Sequence, residues 1–154
     1  METYRSPLTQ EELRELQESC KLHAKKEGSA VLQYLDLPWA SQNLLAFSKQ
    51  GEVVKFYQGD KFLGILCFAV GCEWWTRQTI LSEVCVLSCK GVHGVQRYAI
   101  KALDELAKEF HATILTSGCF FQKMPQAVTN GYLKGGYRLS CPTYIKVVNE
   151  HDNQ

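Results

Sequence analysis

Six consecutive residues, Lys90-Gly91-Val92-His93-Gly94-Val95, offer the most definite chemistry in the chain. They join a β-branched run, SEVCVLS from Ser82, to a helical run, QRYAIKALDELAKEF, that ends at Phe110. A strand that feeds a helix through glycines makes an anion site. The glycines let backbone approach the ligand, and the first N–H groups of the helix have no partner and sit at the positive end of its dipole. Lys90 would add a point charge beside a phosphate. His93 reads either as a phosphate contact or as an exposed loop histidine.

Other chemistry is excluded by type and spacing. The seven cysteines stand at 20, 67, 72, 85, 89, 119 and 141. Cys67, Cys85 and Cys119 fall inside apolar, strand-like runs, and no Cys-x-x-Cys occurs, so they are expected to be buried free thiols in a reducing cytoplasm. The histidines, His23, His93, His111 and His151, lack zinc-site spacing, and no metal is expected. A formal net charge of +1, with basic and acidic residues intermixed, gives no footprint for nucleic acid. Residues 1–30 are polar and charged, unlike a signal peptide, and no apolar run reaches membrane-spanning length. A cytoplasmic protein without a membrane partner is expected.

The elements that must hold the loop can be read in order. A length of 154 residues suits one domain, 1–154, with a helical part over 1–50 and a sheet over 52–148. Residues 1–8 read as an irregular lead. Thr9 and Glu12 form a capping box before a helix with Leu13, Leu16 and Cys20 on one face, ended by Gly28. Pro38 breaks the next segment, and Ser41 caps a short helix carrying Leu44, Leu45 and Phe47. VVKFY, the turn QGD and KFLGILCFAV read as a hairpin whose second strand is apolar enough to be covered on both faces. Trp74 and Trp75, in the connection GCEWWTRQ, pack over an edge or line a pocket; packing is preferred. A strand follows over Thr79–Ser88. In the helix after the loop, Val95, Ala99, Leu103, Leu106, Ala107 and Phe110 keep helical spacing while Gln96, Arg97 and Lys101 point outward. ATILTSGCFF is a strand in which Gly118 marks a bulge or a close ligand. A helix from near Pro125 to Lys134 is stopped by Gly135, and Tyr137–Val148 reads as a last strand interrupted by Pro142. The order gives an α/β fold, a mixed sheet with helices on both faces.

At these residues the chain resembles the GCN5-related N-acetyltransferase superfamily. GDKFLGILCF, with Phe62, Leu63 and Gly64 after a turn, is similar to that family's second and third strands. VLSCKGVHGVQRYAIKAL is similar to its fourth strand, pyrophosphate loop and third helix. YLKGGY, from Tyr132 to Tyr137, matches its late tyrosine-x-lysine-x-glycine-aromatic signature. The likeness spans about 52–148. Departures are equally definite. The usual loop, Arg/Gln-x-x-Gly-x-Gly/Ala, here has its glycines out of phase with His93 between them. The family's first strand is not evident, and Pro125 stands near the position of a common asparagine.

The resemblance implies a GNAT-like acyl-CoA N-acyltransferase fold with acetyl-CoA as acyl donor and an amine as acceptor. It places the donor against Val86, Leu87, Ser88, Lys90, Gly91, Val92, His93, Gly94, Val95 and Gln96, with the pantetheine arm between Glu83–Ser88 and Ile114–Cys119. Tyr132 falls on the family's general acid, and Glu83 on a glutamate that some members use as base. Glu73 is a second base candidate. Neither Cys89 nor Cys119 is proposed as a nucleophile. Two function classes stay open: an N-acetyltransferase, and a non-catalytic binding module on the same fold, as in GNAT-like proteins of phage genomes. A homodimer through the strand after Pro142 is a further expectation.

Overall fold

Thr9 and Glu12 close the capping box read from the sequence: the Thr9 N–H donates to Glu12 Oε2 at 2.6 Å, and the Glu12 N–H to Thr9 Oγ1 at 3.2 Å. Helix α1 follows over Gln10–Glu27 and buries Leu13 and Leu16. The computed structural model describes residues 1–27, 35–72, 74–117 and 126–139, and Gly28 lies outside them.

Helix α2, Leu37–Lys49, corrects the sequence reading. Asp36 is its N-cap and accepts the Trp39 N–H at 3.0 Å. Pro38 therefore occupies the first turn, where a missing N–H costs nothing, and opens the helix rather than breaking it. Ser41 is not the cap. Its Oγ donates to the Leu37 carbonyl at 2.8 Å and accepts Gln17 Nε2 at 2.7 Å, joining α2 to α1.

The lead is also not irregular. Glu2–Tyr4 form β1, antiparallel to β2 (Val53–Gln58) with Thr3 opposite Phe56. All three β1 residues are exposed, so no alternation advertised the strand. It is anchored by Arg5, which donates to the Gly51 carbonyl through Nε and Nη2 at 3.0 and 2.9 Å. Arg5 also pairs with Glu109 at 2.6 Å and stacks over Phe68 and Phe110.

Strand β3, Lys61–Gly71, is central in the sheet order β1-β2-β3-β4-β5. Leu63, Leu66 and Phe68 enter one core, against α3 (Val95–Glu109), and Phe62, Ile65 and Cys67 enter another, against α1 and α2. The apolar run is thus covered on both faces, as expected. Gly64, at φ +150°, lies against β4 (Ile80–Ser88); a Cβ there would fall 2.2 Å from the Leu87 carbonyl oxygen.

Strand β4 pairs antiparallel with β3 and parallel with β5, Ile114–Thr116. Beside β3 its register passes from Cys67↔Cys85 to Phe68↔Glu83, which leaves Val84 as an extra residue. A bulge of this kind bends the strand and re-aims its side chains. The ladder to β5 runs from Ile80↔Ile114 to Ser82↔Thr116. Helix α4, Gln126–Lys134, completes the elements. Gly118, Cys119 and most of the expected last strand, including Pro142, lie outside the described residues. Trp74 and Trp75 are 94% and 60% exposed, so they do not pack over an edge. The expected mixed α/β sheet with helices on both faces is what forms.

Candidate active site

The loop is built by two reversals. The Cys89 N–H donates to the Leu63 carbonyl at 2.9 Å, which ends β4 against β3. The Val92 N–H then donates to the Cys89 carbonyl at 3.0 Å, turning the chain over Lys90 and Gly91. Gly91 and Gly94 have φ of +74° and +78°, a left-handed backbone that glycine adopts without strain. Gly94 is the N-cap of α3 and supplies no side-chain cap. Among the described residues, the N–H groups of Gly91, His93, Gly94, Val95 and Gln96 make no hydrogen bond.

Side chains leave this backbone accessible. Val92 turns inward and packs against both cores, Val95 is buried, and Lys90, Gly91, His93 and Gly94 are exposed. Arg97, which helical spacing put on the outward face, folds back beside Gly94: its Nε lies 3.5 Å from where a Gly94 Cβ would stand. It stacks on Tyr98 at 4.7 Å and donates to the Tyr98 hydroxyl at 2.6 Å. Unpaired N–H groups, a guanidinium and a backbone with no Cβ at two turns fit a phosphate-bearing ligand.

The β4–β5 ladder ends at Ser82↔Thr116, and Glu83–Ser88 continue half-buried. Val86 packs toward α3, Leu87 toward α1 and α2, and the Ser88 carbonyl accepts Ser19 Oγ at 2.6 Å. Glu83 directly follows Ser82, the last β4 residue paired with β5. The Tyr132 hydroxyl from α4 donates to its carboxylate, 2.7 Å from Oε1 and 2.8 Å from Oε2. Ser117 Oγ, just past β5, donates to Oε2 at 3.0 Å. Gln96 Nε2, from the first turn of α3, donates to the Tyr132 oxygen and lies 3.4 Å from Glu83 Oε2. Three elements therefore deliver donors to one carboxylate.

Burial pushes the Glu83 carboxyl up from the usual carboxylate range, against the opposing pull of its bonds from Tyr132, Ser117 and Gln96. Burial also raises Tyr132, helped by the Glu83 charge and opposed by Ser117. Tyr137 packs edge-on against Tyr132 at 5.3 Å, and burial with the charges of Asp104 and Glu83 pushes it up to about 12. Its buried hydroxyl has no partner among the described residues. A carboxylate raised toward neutrality can take a proton, and a phenol can give one.

Of the expected site residues, the structure brings Glu83, Tyr132 and Gln96 into one cluster and Lys90, Gly91, His93 and Gly94 onto one exposed loop. Gln96 spends its side chain on the cluster, not on the loop. Glu73 lies outside the described residues. Ser117 and Arg97 went unread. Only the parallel pairing, which sets Thr116 beside Ser82, places Ser117 next to Glu83. A surface hollow lined by Asp104, Ala107, Lys108, His111 and Ala112 lies at the far end of α3. None of its residues joins the cluster. Among the described residues no group of His, Cys, Asp and Glu could hold a metal ion, and no helix is long and apolar enough to cross a membrane.

No protein-family model matches the chain, and no curated protein does. Solved structures do. One is a possible acetyltransferase from Clostridium difficile, with TM-score 0.66 at 13% identity over 97% of this chain and 98% of that one. A ribosomal-protein-alanine N-acetyltransferase from Brucella melitensis aligns with TM-score 0.65 at 12% identity over 96% of this chain and 100% of its own. An aminoglycoside 6'-N-acetyltransferase from Acinetobacter haemolyticus gives 0.61 at 11% identity, over 97% of this chain and 100% of its own. The likeness spans nearly the whole chain and is one of fold.

Proposed function

We propose that this chain, whose fold is that of the GCN5-related N-acetyltransferases, is an acetyl-CoA-dependent N-acetyltransferase for an amine on a small molecule or protein. The observation that carries the reading is the Glu83–Tyr132 pair, held by Gln96 from the first turn of α3, the helix whose start presents the loop's unpaired N–H groups. Bound acetyl-CoA supplies a thioester carbonyl that a neutral amine can attack. The N–H groups of Gly91–Gln96, with Lys90 and Arg97, would hold its pyrophosphate, and the edge of β4 from Glu83 to Ser88 its pantetheine. Glu83 removes the proton from the amine, and Tyr132 gives one to the leaving sulfur.

The competing reading, a binding module that has kept the scaffold, drew on the altered glycine phase of the loop. Against it stand the packing of Val92 into the cores, the exposure of His93 and the unpaired N–H groups at the helix start, which support a loop able to take a phosphate. The test is direct. Acetyl-CoA should raise the melting temperature in a concentration-dependent way, equivalent to about 2.7 kcal/mol at a hundredfold excess over Kd. A panel of primary amines should then release free coenzyme A. No thermal shift at millimolar acetyl-CoA would overturn the reading, and a shift without release from any amine would favour the module.

A further inference from the structure

We propose that Glu83 and Tyr132 are not a separate base and acid but two stations of one proton circuit, with Ser117 and Gln96 as its positioning residues. The inference rests on the acetyltransferase reading and adds the route of the proton. The phenol that would protonate the leaving sulfur is already committed: its hydroxyl donates to the carboxylate that would deprotonate the amine, at 2.7 Å. Gln96 explains the direction. Its amide N–H faces a phenol oxygen and, at 3.4 Å, a carboxylate oxygen, so the nitrogen end must point inward. That donor fills a lone pair of the phenol oxygen and leaves the phenol hydrogen facing Glu83. Ser117 holds the second carboxylate oxygen at 3.0 Å and fixes the plane of the group.

The circuit balances. The amine nitrogen forms its bond to the acetyl carbon, and the carbon–sulfur bond breaks with its electron pair on sulfur. Glu83 accepts the proton lost by nitrogen. Once protonated, Glu83 donates to the phenol oxygen and frees the phenol hydrogen to turn to sulfur; Tyr132 delivers that proton, and the phenolate recovers one from Glu83 across the reversed bond. Both groups end as they began, with an amide and a thiol formed. The alternative, independent acid and base, would need each group to exchange its proton with bulk water before the next turnover. Tyr132 is buried and Glu83, Gln96 and Ser117 are half-buried and bonded to one another, which slows that exchange.

Two measurements test the circuit. The first needs no turnover. With ring-labelled tyrosine followed by carbon NMR, Glu83→Gln should let Tyr132 begin to ionise at lower pH than in the wild type, while Tyr57, beside Glu12, is unmoved. Identical Tyr132 titrations would overturn the shared proton. The second uses hydroxylamine as acceptor, a small amine already neutral at pH 7. Glu83→Gln and Tyr132→Phe should each lower kcat by about 10²-fold or more, and the double variant should be no worse than the poorer single. Multiplied losses in an enzyme that still turns over would overturn the circuit and keep the acetyltransferase. A wild type that neither binds acetyl-CoA nor turns over would overturn both. Ser117→Ala should leave the KM for acetyl-CoA unchanged and move the rising limb of the pH–kcat profile to higher pH, because Glu83 loses a donor to its charged form. A loss uniform across pH would make Ser117 structural only.

Discussion

Glu83 is the residue at which the proposed function and stability pull against each other. Its folded-state pKa is raised, so the fold holds the proton more tightly than the unfolded chain does. The sign follows: its contribution is most favourable at low pH and is lost as pH rises through the folded value. Glu83→Gln, a neutral isostere, should therefore melt at or above the wild-type temperature at pH 7. The difference should shrink as pH falls through the carboxylate range, and calorimetry across pH reads it. A Glu83→Gln protein less stable than wild type at neutral pH would mean that the donors from Tyr132, Ser117 and Gln96 outweigh burial. The residues of this site were legible in type but not in association. Tyr132 was marked by its spacing to Lys134 and Gly136, and Glu83 by its place on a strand. Nothing in one dimension says that a hydroxyl 49 residues away bonds that carboxylate.

At the scale of elements, periodic signals survived and short ones did not. Helix α3 was readable because Val95, Ala99, Leu103 and Leu106 repeat on one buried face. The glycine within β3 was readable as a motif, and the structure gives its cause: the β4 backbone passes where a side chain would begin. Gly64→Ala should shift β3 against β4 or unfold the hairpin, with a loss of roughly 2–4 kcal/mol, as for an overpacked and backbone-strained site. Chemical denaturation measures it, and an alanine variant of wild-type stability would show that the strands can part at no cost. Helix α2 was misjudged because proline was taken as an ending. Asp36, two residues before it, carries the signal that settles the matter, and Asp36→Ala should cost about 1 kcal/mol of stability. Strand β1 was beyond reach: three exposed residues held by Arg5 give local sequence nothing to repeat.

Across the whole molecule, a second buried carboxylate offsets the first. Glu12 pairs with Lys55 at 2.9 Å, accepts the Tyr57 hydroxyl and the Thr9 N–H, and lies with Lys55 almost fully buried. Burial alone would raise it, but the bonds from Thr9, Tyr57 and Lys55 prevail and hold it below the usual carboxylate range. Its contribution is therefore present above that range and is lost as pH falls through the folded value, the reverse of Glu83. Removing one partner strands the other: Glu12→Ala should cost about 3–5 kcal/mol at neutral pH by denaturant titration. The double replacement Glu12→Met with Lys55→Met should recover most of it. The pair ties α1 to β2, and so steadies the helix whose Ser19 holds the end of β4.

The sheet also contains a built-in clock. Cys67 is fully buried in the central strand, opposite Cys85, while Cys72, five residues on, is exposed. An alkylating reagent reaches Cys72 at once but Cys67 only when the strands part, so peptide-resolved labelling under native conditions times the opening of the sheet. Acetyl-CoA, which the proposed function seats along β4, should slow the clock at Cys67 and leave Cys72 running at its own rate.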